Sequence, residues 1–178
     1  MHVSQLIGLH RKGEIEVSLL SVSASENSKL KQFPANATLF SERIASLGWQ
    51  DLPLTPAPMV IGLTYIGSCF LVSDDNIFEQ EISRLWKAVF PKISESASDH
   101  LPEGVILDDE SIQSESLAKW RNAWCDVISA YSHIRAGGEI FVTNNTKDFQ
   151  RNAVRLGELG MKQILTPAAT VTFLSRPV

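Results

Sequence analysis

Apolar positions in the first part of the chain change period several times, and each change marks an element. Val3, Leu6, Ile7 and His10 recur at helical spacing, and Gly13 follows where a helix-ending glycine belongs. A helix therefore starts almost at Met1. Segment 14–25, EIEVSLLSVSAS, sets Ile15, Val17, Leu19 and Ser21 on one face and reads as a strand. A new turn or helix opens over 26–33 and is halted by Pro34. Leu39, Phe40, Ile44 and Leu47 give a helix over 36–48, closed by Gly48. Residues 51–58 carry three prolines and read as a connector.

The longest apolar region, MVIGLTYIGSCFLV (59–72), is rich in β-branched and aromatic residues and broken by Gly62 and Gly67. It reads as one or two buried strands. Ser73, Asp74 and Asp75 then stand where a cap belongs for a helix carrying Ile77, Phe78, Ile82, Leu85, Trp86 and Val89, ended by Pro91. Residues 92–113 are acidic, Ser-rich and weakly periodic, the pattern of a loop or insertion. The clearest helix follows: Leu117, Trp120, Trp124, Val127, Ile128, Tyr131 and Ile134 form one apolar stripe, stopped by Gly137 and Gly138. A strand at Ile140–Val142, a helix over 149–160, a strand at 163–165 and a short helix after Thr166-Pro167 complete the chain. Helices alternating with short buried strands predict one α/β domain over 1–178. Its expected form is three-layer α/β/α, with a mostly parallel central sheet.

A length of 178 residues suffices to bury a core without staples. The net charge of −4 is not that of a typical nucleic-acid binder, though a local basic stripe is compatible with it. Cys69 and Cys125 lie among apolar residues, match no metal spacing and read as buried thiols in a reducing compartment. No stretch reaches the ~20 apolar residues of a membrane helix, and the N-terminus lacks a signal-peptide pattern, so a cytoplasmic protein is expected. Dinucleotide, P-loop and nucleophile-elbow glycine motifs are missing, and four scattered histidines give no zinc spacing.

Candidate chemistry concentrates after Gly138. The strand Ile140–Val142 stops in Thr143, Asn144, Asn145 and Thr146, followed by Lys147 and Asp148. Such residues make turns and cap helices. The carboxyl end of a parallel strand is also where an α/β protein keeps its site. On the preceding helix, Asn122, Asp126, Ser129 and His133 repeat at steps of four, three and four, which places them on one face, either solvated or lining that site. Lys119, Arg121, Lys147, Arg151 and Arg155 flank the same region, as phosphate partners or as scattered solvated charges.

From KWRNAWCDVISAYSHIRAGGEIFVTNNTKDF and the later RLGELGMKQILTP, the chain resembles the PIN-domain family. In that family a helical Asp precedes a strand ending in Thr-x-Asp, then a helix and a short strand ending near Thr-Pro. The resemblance covers about 114–174, and more weakly 1–30. It implies two-metal phosphodiester hydrolysis, with carboxylates holding Mg²⁺ or Mn²⁺. Carried over by residue, Glu26 matches the family's Glu, Asp126 its helical Asp and Thr143 its Thr, while Asn145 stands at the expected Asp. The implied catalytic set is Glu26, Asp126 and Asn145; the implied metal set is Glu26, Asp126 and Asp148. Thr143, Asn144, Asn122 and His133 line the site. Asp148 reads equally as a cap for the helix at Phe149.

The family's opening strand and its Asp have no counterpart before the first helix, so 59–72 is expected to fill the central position in a permuted arrangement. The strand ending at Thr143 should then lie beside the one ending near Ser25. Two functions follow from the resemblance. One is a ribonuclease acting on RNA with weakly bound Mg²⁺ or Mn²⁺. The other is a catalytically inactive PIN-like binding or interaction module, with a protein partner or a homodimer and no membrane.

Overall fold

A computed structural model describes residues 2–25, 37–60, 63–64, 67–72, 76–108 and 111–176. Among the described residues six α-helices run over α1 His2–Arg11, α2 Ala37–Ser46, α3 Ile77–Val89, α4 Ala118–Arg135, α5 Ala153–Glu158 and α6 Pro167–Leu174. The described residues also form six short strands, β1 Leu19–Leu20, β2 Leu54–Thr55, β3 Ala57–Pro58, β4 Cys69–Phe70, β5 Ile140–Val142 and β6 Gln163–Leu165. The strands form three parallel pairs, β1 with β2, β3 with β4 and β5 with β6. Parallel pairs among helices place the chain in the general α/β class.

α4 is the organising helix. It packs against α3 and against β1, the 3₁₀ turn Ser21–Ser25 and β3. A helix covered by several elements must be apolar around much of its circumference. Leu117, Trp120, Val127, Ile128 and Tyr131 of the predicted stripe are indeed buried. Between α3 and α4 the rings of Trp86 and Trp124 meet edge-on at 5.5 Å, and Trp120 meets Trp124 at 6.0 Å. Such pairs add about 0.5–1.5 kcal/mol each beyond burial. Gly137, at φ +70°, supplies the left-handed residue that ends α4, and its amide reaches the Ile134 carbonyl at 3.0 Å.

Four expectations about the strands are corrected. Only Leu19–Leu20 of the predicted strand 14–25 pairs. Before it, the chain is still bound to the end of α1: Glu14 N–H donates to the Leu9 carbonyl at 3.0 Å and Val17 N–H to His10 Nδ1 at 3.1 Å. After it, the Ser- and Ala-rich SVSAS winds into the 3₁₀ turn.

The supposed connector 51–58 instead holds two strands. Leu19↔Leu54 and Ala57↔Cys69 are in register, so one segment serves both pairs. Pro53, Pro56 and Pro58 explain why each pair is only two residues long, because proline cannot donate to a ladder. From the predicted strand region 59–72, only Cys69–Phe70 pairs among the described residues.

β5 does not lie beside the strand near Ser25. Among the described residues its partner is β6, in the register Ile140↔Gln163 to Val142↔Leu165, with α5 as the crossover. Consecutive strands joined by a short helix are neighbours by default, and this pair follows that rule. α6 closes the end of the chain. Thr166 caps it by accepting Ala169 N–H at 3.2 Å, Pro167 occupies its first turn, and the helix packs on α1 and on β5 and β6. Among the described residues no helix is long and apolar enough to cross a membrane.

Candidate functional site

β5 delivers Thr143 to the edge of the α4 layer. The Thr143 N–H still donates to the Leu165 carbonyl at 3.0 Å, so the ladder ends at this residue. Its hydroxyl then accepts Asn145 N–H at 3.0 Å, turning the chain. Asn145 begins a helical turn: its side-chain Oδ1 accepts Asp148 N–H at 3.3 Å, and its carbonyl accepts Phe149 N–H at 3.2 Å. That is the geometry of an N-cap, in which the side chain satisfies an amide the helix leaves open. Phe149 is fully buried beside Phe141, with ring centroids 4.7 Å apart, which anchors the turn in the core.

The other end of the Asn145 amide reaches α4. Its Nδ2 donates to Asp126 Oδ2 at 3.1 Å. The orientation is dictated by chemistry, because Asp148 N–H needs an acceptor and the Asp126 carboxylate needs a donor. A flipped amide would face donor with donor and acceptor with acceptor. Asp126 and Asn145, 19 positions apart, are thus brought into contact.

The remaining predicted site residues fall in different places. Glu26 lies outside the described residues, as do Asp74 and Asp75. Thr143 shapes the turn through its hydroxyl, and Asn144 is exposed beside it, its carbonyl accepting Thr146 N–H at 2.9 Å. Asp148 is half-buried, and its predicted capping role passes to Asn145; the 3₁₀ turn Gln150–Asn152 has no side-chain cap bond. Asn122 is exposed one helical turn before Asp126.

The face shared by Asn122 and His133 runs from solvent into the core. Ser129 is buried and its hydroxyl donates to the Cys125 carbonyl at 2.8 Å. His133, seven residues beyond Asp126, sits about 10 Å farther along the helix. It is 8% exposed and packs edge-on against Phe141 at 5.2 Å. Burial pushes its pKa below the ordinary value, opposed by a bond to the Gly138 backbone, with nearby Lys162 adding to the depression. His133 Nε2 is buried with no bonding partner. It is a core histidine at the helix-to-strand turn, where a Cβ on Gly138 would stand 2.3 Å from its Cε1.

Among the flanking basic residues, Arg121 does not face the site. It is buried, with Nη1 donating to the Ser114 carbonyl at 2.7 Å and also to that of Ile112, and burial lowers its pKa. Lys119, Lys147, Arg151 and Arg155 are exposed. Asn152 had no sequence signal, yet its amide donates to the Asp148 carbonyl at 2.8 Å and to the Val89 carbonyl at 3.5 Å. It ties the site turn to the end of α3. An Asn in a helical start is common enough that nothing singled it out.

Among the described residues the donor set does not complete a two-metal centre, and Glu26 of the expected set lies outside them. Among the described residues no three His, Cys, Asp or Glu side chains come close enough to hold an ion. In the Asp126–Asn145 pair the carboxylate already accepts an amide, and the amide oxygen already accepts Asp148 N–H. A cation at Asp126 would share the carboxylate with that amide, through Oδ1 or the second lone pair of Oδ2. Compared with family models, curated proteins and solved structures, the chain matches none.

Proposed function

We propose that the chain is a PIN-like domain with a weakened acidic site, working as a binding or interaction module. The observation that supports this reading is the amide of Asn145 seated on Asp126 at 3.1 Å. Where the resemblance implies an Asp, the amide supplies a donor in place of a second negative charge. The Asp126 carboxylate is stabilised by this hydrogen bond, and at position 145 it meets no like charge for a cation to offset. The same amide holds the turn that leads to Phe149. In this reading the site is structural, and its exposed surroundings, with Lys147 and Arg151, are free to meet a partner.

A second reading keeps the enzyme. The contact of Asp126 with the strand-end residue favours it, since that juxtaposition is what a metal-dependent ribonuclease of this kind requires. Incubation of the full chain with single-stranded RNA and millimolar Mg²⁺ or Mn²⁺ separates the two. The module reading expects no cleavage by the wild type. Cleavage that disappears in Asp126→Ala establishes the nuclease.

A further inference from the structure

Between α3 and α4 the chain makes a long loop whose two ends are held by buried donors. Trp86 Nε1 donates to the Ile93 carbonyl at 2.7 Å and Trp120 Nε1 to the Glu95 carbonyl at 2.9 Å. Arg121 holds the other end through the Ile112 and Ser114 carbonyls. With its base pinned, the loop projects Val105, Ile106 and Leu107, which are 46%, 80% and 47% exposed. Three consecutive exposed apolar residues are a liability unless something covers them.

The segment is also framed on both sides. Val105 N–H donates to the Pro102 carbonyl at 3.1 Å across a turn that places Gly104 at φ +81°, as a type II turn demands of its third residue. After it, Asp108 and Ser111 bond reciprocally: Ser111 N–H donates to Asp108 Oδ1 and Asp108 N–H to Ser111 Oγ, both at 2.7 Å. Between the two frames, the N–H groups of Ile106 and Leu107 meet no acceptor among the described residues. Val105 and Ile106 are β-branched and favour extended backbone.

We propose that Val105–Asp108 is a docking strand, adding to the free sheet edge of a protein partner whose edge is bordered by an apolar groove and Lys or Arg side chains. Main-chain pairing would satisfy the open amides, and alternate side chains would enter the groove. Charge selects the partner. From Ile93 to Ala118 the sequence holds seven carboxylates and no Lys or Arg. This repels a second copy, a nucleic acid and an anionic membrane alike, and steers a basic protein surface toward the segment. The proposal stands whether or not the Asp126 site is a nuclease.

The test uses the full chain and a designed three-stranded sheet with one uncovered edge of alternating Val and Lys. Hydrogen exchange at Ile106 or Leu107 should slow at least tenfold on binding. Affinity should fall at least tenfold with Leu107→Asp, with Glu replacing the probe's Lys, and with N-methylation of the probe's free edge. A melt of the Leu107→Asp chain unchanged from wild type keeps that loss a loss of docking. Absence of protection at both amides overturns the proposal. So does equal binding by the N-methylated edge, which would reduce the contact to charge alone. Self-association of the free chain that Leu107→Asp abolishes would assign the segment to a second copy and overturn it as well.

Discussion

Replacing Asn145 with Asp tests how the site is built, because it restores the charge that the family pattern expects while keeping the shape. The variant side chain can still accept Asp148 N–H, so the turn survives. What it loses is the donor to Asp126, a hydrogen bond to a charged group worth about 1.5–3 kcal/mol. What it adds is a second carboxylate. At the observed 3.1 Å, two unit charges repel by about 1–5 kcal/mol for effective dielectric constants between about 80 and 20. Rotation of the side chains apart relieves part of this, leaving a net destabilisation of about 2–4 kcal/mol at pH 7.

For a domain of this size that lowers Tm by about 4–16 °C. The two carboxyls would share a proton in the folded state, so at least one folded pKa rises above the unfolded value of about 3.9. The folded variant then binds more protons, and the deficit shrinks as pH falls toward about 4. Melts of wild type and Asn145→Asp at pH 7 and pH 4.5 read this directly. A deficit that is absent at pH 7, or equally large at both pH values, refutes the amide-on-carboxylate account.

Gly138→Ala should destabilise the fold by about 1–3 kcal/mol by overpacking the His133 ring, since the new Cβ falls 2.3 Å from His133 Cε1. A double-mutant cycle with His133→Ala should recover much of that loss, measured by urea unfolding. The lowered pKa of His133 means the unfolded chain binds the proton first, so stability present above about pH 6.5 falls as the solution is acidified below it. His133→Phe should flatten that slope between pH 7 and pH 5 in chemical denaturation. Arg121→Ala should cost about 2–4 kcal/mol, because two loop carbonyls lose a buried charged donor. Hydrogen exchange or limited proteolysis should find residues 111–117 opening more readily in that variant.

The elements that sequence made legible are those with long periodic signals. α4 shows seven apolar positions at helical spacing, and the helix stops at Gly137 as its sequence demands. β5, α5, β6 and α6 likewise follow their patterns, because each carries a local terminator such as Gly160 or Thr166-Pro167. The strand pairings were not legible. β2 lies between Pro53 and Pro56 and β3 ends in Pro58, each two residues long and too short for any period, and their hydrogen bonds depend on partners 35 and 12 positions away. The face holding Asn122 and His133 also misled, because burial on α4 is decided by the strand layer packed over it and not by the helix's own polarity. At the site, the resemblance pointed to Glu26, Asp126 and Asn145; the last two touch, and Glu26 lies outside the described residues. The amide's double role was not foreseen, since an Asn after a strand signals a turn and gives no hint of a distant carboxylate. Arg121 was expected at a cleft rim, and its position under the loop follows from carbonyls at 112 and 114 that no pattern announces.

Melting the wild-type chain with and without millimolar Mn²⁺ bears most directly on the central claim, that the Asn145 amide, and not a metal ion, occupies Asp126. A ligand at about 100 times its Kd adds about 2.7 kcal/mol, equivalent to about 5–11 °C in a domain of this size. The Asn145–Asp126 contact predicts little change in Tm and no cleavage of single-stranded RNA. A rise of that size, abolished by Asp126→Ala and accompanied by cleavage, would contradict it and make the site a metal-dependent nuclease centre.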